Sequence, residues 1–357
     1  MRKKWLGIRV AAGLCAALGW WGLLYPELAL TPDTVKVSVE DEEGALTELP
    51  REWSFDSALY LDLLDADQGS ITLRSRLLAE LKQNSALRDA PIGVFDSGVG
   101  GLTVVREIIR QIPNEKIVYF GDTARVPYGN KSRETVTRFS EQIVRFLRTF
   151  QVKTIVVACN TASAYAMEAL ERDCDIPVIG VVKPGARAAV SATKNGRIGV
   201  IATEATIGSQ IYTRYIQELK HAVSIYGKAC PLFVPLVEEG LLEDPVTDEI
   251  ARRYLTELID IDIDTLILGC THYPLIRSTL GRIMGDRVAL VNPAYETAME
   301  LRRLLASHDL LCQTPPALGS NRYQFYVSDK ADKFIRFANS IIKYGILSAK
   351  TVNIEAY

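Results

Sequence analysis

The chain of 357 residues predicts an α/β fold, and two features carry that prediction. From Pro91 onward, short apolar runs alternate with longer amphipathic stretches. The runs are continuous rather than alternating, as strands buried on both faces require. Strands that alternate with helices imply parallel sheets wrapped by helices. The length fits one large or two ordinary domains plus an appendage, so two lobes are expected. A composition 48% hydrophobic and 24% charged allows most of the chain to bury a core without disulfides. A net charge of -2 gives no general electrostatic reason to bind nucleic acid, and none is expected as a partner.

Taken in order, residues 1–30 differ from everything that follows. "MRKK" precedes an uncharged run from Val10 to Tyr25. With Leu6 to Ile8 added and Arg9 snorkelling, it reaches the roughly 20 residues that span a bilayer. Trp5 at one end and Trp20, Trp21 and Tyr25 at the other suit the two interfaces, and no small-x-small cleavage site follows. The segment is read as an uncleaved membrane anchor, with a cleaved signal peptide or a hydrophobic helix packed on the protein as the alternatives. Residues 31–90 begin acidic, contain one helical-looking piece, "LRSRLLAELKQ", and are read as a juxtamembrane spacer.

Eight strands are then predicted: "PIGVFD", "KIVYFGD", "KTIVVAC", "IPVIGVV", "RIGVIAT", "LFVPLV", "DTLILGC" and "RVALVN". Between the second and third, Val136, Phe139, Ile143, Phe146 and Phe150 recur at helical steps. The arginines on that helix's other face read as a solvated surface rather than a nucleic-acid patch. Sheets of this kind bind ligands at the carboxyl ends of their strands. The polar residues there are Asp96 and Ser97, Asp122, the run Cys159, Asn160 and Thr161, then Thr203 and Thr206, Glu238, and the run Cys270, Thr271 and His272.

Two of those ends share a plan. "VVACNTAS" and "LILGCTHY" each run an apolar strand into a cysteine followed by hydrogen-bonding residues. The six cysteines are scattered without a C-x-x-C pair and read as free thiols. Cys15, Cys174, Cys230 and Cys312 are taken as small buried hydrophobes. Cys159 and Cys270 sit where sites are built. A thiol hydrolase needs one cysteine and one histidine base, and only Cys270 has a histidine nearby in sequence. Zinc on Cys159, Cys270 and His272 uses proper ligand types at an unusual spacing, and a redox pair lacks the usual motif. Acid/base work by two opposed thiols accounts for both cysteines, because inverting a stereocentre needs a proton taken from one face and returned to the other. Thiols start near a pKa of about 8.5 and can switch form near neutrality. Asp96, Glu238 and His272 are the neighbours able to hold or accept their protons.

Across about Pro91 to Lys343 the chain resembles the cofactor-independent glutamate racemases of bacterial cell-wall synthesis. The resemblance lies in ordered motifs: "GVFDSGVGGLTV", "GDTARVPYGNKS", "VVACNTASA", "GVVKPGARAA", "VIATEATIGSQIY", "CPLFVPLVEEG", "LILGCTHYPLI" and "FYVSDKADKF". It implies two lobes related by a pseudo-twofold axis with the active site in the cleft between them: lobe A at 91–184 and 293–343, lobe B at 185–292. It implies Cys159 and Cys270 as the catalytic pair, Asp96 beside the first, and Glu238 and His272 beside the second. Ser97, Tyr128, Gly129, Asn160, Thr161 and Thr271, with Asp96 and His272, would hold the substrate, and Thr206 would join them. No cofactor and no metal are implied. "DSGVGG" could instead be a nucleotide-binding turn, but Thr103 stands where the third glycine belongs and Asp96 would oppose a pyrophosphate. Glycines there would free backbone N–H groups for the substrate carboxylate. Ser163 in "CNTAS", where many relatives have Thr, is a conservative departure.

Expected partners are therefore glutamate, the membrane through the N-terminal helix, and a second copy in a homodimer. "MRKK" obeys the positive-inside rule with the lobes outside. Glutamate metabolism and the survival of free thiols favour the cytoplasm, which is the expected location.

Overall fold

A computed structural model describes residues 86–313, 322–342 and 348–357 in full, together with the backbone of three earlier strands. The chain separates into two units, Met1–Ala86 and Leu87–Tyr357. In the first, β1 (Val35–Glu40) pairs antiparallel with β2 (Leu46–Glu48) and β3 (Ile71–Ser75). This sheet lies within the stretch read as spacer. Its signal is the period-two alternation of Val35, Val37 and Val39 with Lys36, Ser38 and Glu40. Leu73 to Ser75, read as the start of a helix, belong to β3. The apolar run read as an anchor lies outside the described residues. Among those described, no helix is long and apolar enough to cross a membrane.

The second unit holds two parallel sheets. The larger is built from β4 (Ile92–Asp96), β5 (Ile117–Gly121), β6 (Thr154–Val157), β7 (Val178–Gly180), β12 (Tyr323–Val327) and β13 (Lys350–Thr351). Its order is β13-β12-β5-β4-β6-β7, every pair parallel. The smaller runs β11-β10-β8-β9, also parallel, from β8 (Arg197–Ala202), β9 (Ser224–Ala229), β10 (Thr265–Gly269) and β11 (Ala289–Val291). β4, β5, β6 and β10 are buried along their whole length, as their unbroken apolar runs require. The larger sheet is completed by the chain's return through β12 and β13.

The helix Arg133–Arg148 forms where its apolar period places it, capped by Ser132 accepting from the Thr135 N–H. Its buried face, Val136, Ile143, Phe146 and Leu147, packs in one cluster with Phe95, Phe120 and Val157 of the larger sheet. One predicted strand is a helix instead. "LFVPLV" forms the helix Phe233–Glu238, and the fourth strand of the smaller sheet is the less apolar Ser224–Ala229. Pro235 explains the exchange: proline lacks the N–H a ladder needs but is tolerated in a helix's first turn. Phe233 and Val237, four apart, are the buried pair, a helical spacing. Glu238 consequently ends a helix rather than following a strand.

Candidate active site

Parallel sheets expose backbone groups and side chains at their carboxyl ends, and both sheets here direct those ends to one cavity of about 510 Å³. Cys159 lies just past β6 and caps the helix Asn160–Tyr165, its Sγ accepting from the Ala162 N–H at 3.5 Å. The same sulfur lies 3.6 Å from Ser97 Oγ, just past β4. Cys270 follows β10 of the other sheet. Its Sγ is 3.8 Å from His272 Nδ1, and His272 Nε2 is 3.1 Å from Glu238 Oε1. Both cysteines line the cavity and each is 6% exposed, so a thiol reaches it from each sheet.

The two sulfurs have different surroundings. Burial and then the nearby Asp96 carboxylate push the Cys159 thiol up to about 12, with the Cys270 charge adding to the rise. Burial alone would lower His272. Its hydrogen bonds to Cys270 and Glu238 outweigh that and raise it to about 10, which favours the imidazolium. The hydrogen bond from His272 holds the Glu238 carboxyl below its ordinary range against the opposing effect of burial. Lys333 Nζ, 3.8 Å from Glu238 Oε2, adds to this. Asp96 is fully buried, and desolvation raises its carboxyl despite the Gly98 N–H donated to Oδ2 at 3.0 Å. Its Oδ1 has no hydrogen-bond partner.

Of the residues singled out in the sequence, Ser97, Tyr128, Gly129, Asn160, Thr161, Thr271, His272, Glu238 and both cysteines line the cavity. Asp96 does not; it lies beneath the wall made by Ser97 and Gly98. Thr206 is also set back. It joins Thr161 and Thr203 in a hydroxyl cluster linking the ends of β6 and β8, with Thr161 Oγ1 3.0 Å from Thr203 Oγ1 and 3.3 Å from Thr206 Oγ1. The Tyr128 hydroxyl donates to Asp122, which is not among the residues lining the cavity. Asp122 also accepts from Arg125 Nε at 2.7 Å and Ser328 Oγ at 2.8 Å.

Two close approaches bring the halves together. A Cβ at Gly100 would overlap Thr271 Oγ1 and His272 Nδ1. One at Gly129 would stand 2.8 Å from Thr203 Cβ. Sequence reasoning missed the apolar wall of Val126, Pro231, Val234 and Pro235, and the polar Asn130 and Glu204. The helical period of Phe233 and Val237 was the available signal for the Pro231–Pro235 segment. A second cavity of about 520 Å³, bordered by Arg106, Arg110 and Arg277, contains none of the candidate residues. Among the described residues no group of three or more His, Cys, Asp and Glu side chains has metal-binding geometry.

Residues 92–300 match the family model for Asp/Glu/Hydantoin racemases. A glutamate racemase of Geobacter metallireducens is 48% identical over 265 residues, covering 74% of this chain and 97% of its own. The solved glutamate racemase of Bacillus anthracis superposes with a TM-score of 0.71 at 42% identity, over 74% of this chain and 98% of the other. That of Francisella tularensis, in complex with D-glutamate, gives 0.70 at 38% identity, over 76% of this chain and 100% of the other.

Proposed function

Because this chain belongs to the Asp/Glu/Hydantoin racemase family, we propose that it interconverts L- and D-glutamate by proton transfer at the α-carbon between two thiols, Cys159 and Cys270. The observation that carries the reading is the single cavity into which each sheet delivers one cysteine. One sulfur, as thiolate, takes the α-hydrogen as a proton; the C–H electron pair stays on carbon. The other sulfur, as thiol, gives its proton to the opposite face. The products are the inverted amino acid and a protein whose thiol and thiolate have exchanged places, so no oxidant, reductant or cofactor enters the balance.

Each sulfur has a group able to manage its proton. His272, held by Glu238, serves Cys270. Asp96 serves Cys159 from behind the cavity wall. Ser97, Asn160, Thr161 and Thr271, with the backbone at Tyr128 and Gly129, hold the substrate's two carboxylates and its ammonium. Hydroxyls, an amide and N–H groups can fix an anion without a bulky cation. The D-glutamate formed would supply peptidoglycan synthesis.

The test is α-hydrogen exchange in deuterium oxide, under reducing conditions and with no added cofactor. The native protein is expected to exchange and to interconvert both enantiomers, and Cys159→Ala or Cys270→Ala alone to abolish interconversion. A native protein that exchanges nothing ends this reading. Three further expectations go with this reading: membrane attachment through residues 1–30, which rests on the sequence alone, a homodimer, and cytoplasmic catalytic lobes. Fractionation, an impermeant thiol reagent on intact cells, and sedimentation of the full chain test them.

A further inference from the structure

Tyr212, on the helix Ile211–Leu219, is 3% exposed. Its hydroxyl donates to Asn160 Oδ1 at 2.8 Å. Its ring lies against Gly269, where a Cβ would stand 3.3 Å from Cε2. Asn160 follows Cys159 in the chain and Gly269 precedes Cys270. One side chain thus contacts the neighbour of each sulfur, one in the helix that follows β6 and one at the end of β10.

The hydrogen bond also decides which end of the Asn160 amide is presented to the cavity. An amide oxygen accepts and an amide nitrogen donates. The Tyr212 hydroxyl has no other hydrogen-bond partner among the described residues, and the Asn160 nitrogen has none. Turned the other way, the nitrogen would donate to the phenol oxygen and the phenol proton would be left buried without an acceptor, an expensive state. Burial also pushes the phenol well above the ordinary tyrosine pKa, so it remains a donor at any pH the protein meets. With Oδ1 occupied, the nitrogen is the polar end left for the cavity that Asn160 lines. A nitrogen there suits an anion and not an ammonium.

We propose that Tyr212 is a positioning residue for substrate binding: it fixes the Asn160 amide with its nitrogen toward the cavity, making Asn160 a donor to a glutamate carboxylate. The proposal rests on the glutamate reading above.

Tyr212→Phe keeps the ring against Gly269 and removes only the hydroxyl. The expected result is a KM for both enantiomers raised about three- to tenfold, the range of one neutral hydrogen bond, with kcat changed less than about twofold. In an Asn160→Ala background the same substitution should add nothing, because the residue through which it acts is gone. An unchanged KM overturns the proposal, and so does the same loss in both backgrounds. Should Tyr212→Phe fail to fold, Asn160→Asp decides: it preserves the acceptor for Tyr212 and sets an oxygen where the nitrogen stood. A rise in KM of about tenfold or more is then expected, and native KM overturns the proposal. A native protein that turns over no glutamate sinks the glutamate reading, and this inference with it; native turnover with an unaltered Tyr212→Phe sinks this inference alone.

Discussion

His272 Nε2 lies 3.1 Å from Glu238 Oε1, while the Nδ1 of the same ring lies 3.8 Å from the Cys270 sulfur. Carboxylate, imidazole and thiol therefore form one chain that begins on the helix Phe233–Glu238 and ends past β10. Cys159 has no imidazole; its neighbours are the Ser97 hydroxyl and the buried Asp96 carboxyl. On the proposed mechanism the two sides of the cavity share a symmetrical task, a proton on either face of one carbon, with different equipment.

Glu238→Gln tests that chain. It retains a hydrogen-bond acceptor for the ring but removes the charge that favours the imidazolium, so His272 should titrate lower. Interconversion should slow by less than the roughly 10²–10⁴-fold that loss of a complete acid/base group costs. The fall in kcat/KM must be equal in both directions, because enantiomers in water have an equilibrium constant of one. Initial rates from each enantiomer check this, and the pH profile should move toward acid. An unchanged profile would mean that Glu238 does not act through the ring.

Stability should fall in alkali, and the sign follows from the pKa directions. Its hydrogen bonds raise His272 to about 10 in the folded protein from about 6.5 unfolded, so the folded state binds the extra proton between those values. Its contribution is complete below pH about 6.5 and is lost as pH rises through about 10. Cys159, raised to about 12, extends the decline at higher pH. Urea unfolding from pH 6 to 10 should show falling free energy, and His272→Gln should flatten the slope in that window.

The parallel sheets were legible because buried strands need continuous apolar runs, and the paired motifs at Cys159 and Cys270 could be seen because both follow such runs. The exchange of "LFVPLV" for Ser224–Ala229 shows where hydropathy misleads. The strand Ser-Ile-Tyr-Gly-Lys-Ala is only partly buried at the sheet's edge, so it carries no unbroken apolar signal. Asp96 was found correctly at a strand end, but its place behind Ser97 and Gly98 depends on the turn that follows, which sequence spacing does not specify. Tyr212 closes the motif "VIATEATIGSQIY", but the motif does not say what its side chain touches. Its role comes from a contact across 52 positions of chain.

Gly100→Ala should lower activity more than stability. The added methyl would meet Thr271 Oγ1 and the His272 ring, and His272 is the group proposed to serve Cys270. Overpacking of this kind costs about 1–3 kcal/mol. The expected result is a cooperative unfolding transition at moderately reduced denaturant, with interconversion reduced far beyond that loss of folded population. Unfolding curves and initial rates on one preparation separate the two effects, and native rates would show that the Thr271–His272 segment yields freely.

A buried ion pair lies outside the cavity. Lys153 Nζ lies 2.6 Å from Glu115 Oε2, the side chains being 0% and 1% exposed. The pair is close enough for full charge attraction, although Oε2 is not aligned as a hydrogen-bond acceptor. Lys153 also donates to the Arg88 carbonyl at 2.6 Å and the Leu310 carbonyl at 2.8 Å, while Glu115 Oε1 accepts from the Cys312 N–H at 2.9 Å. These bonds fasten the segment before β4 and the segment after the helix Pro293–Ser307 to the larger sheet. Removing one partner leaves the other as an uncompensated buried charge, so Lys153→Met should destabilise by about 3–5 kcal/mol. Adding Glu115→Gln removes the orphan charge and retains an acceptor for Cys312, so the double variant should recover part of the loss. Denaturant midpoints for the two single variants and the double variant measure the coupling. Additive losses would mean that the two charges do not support one another.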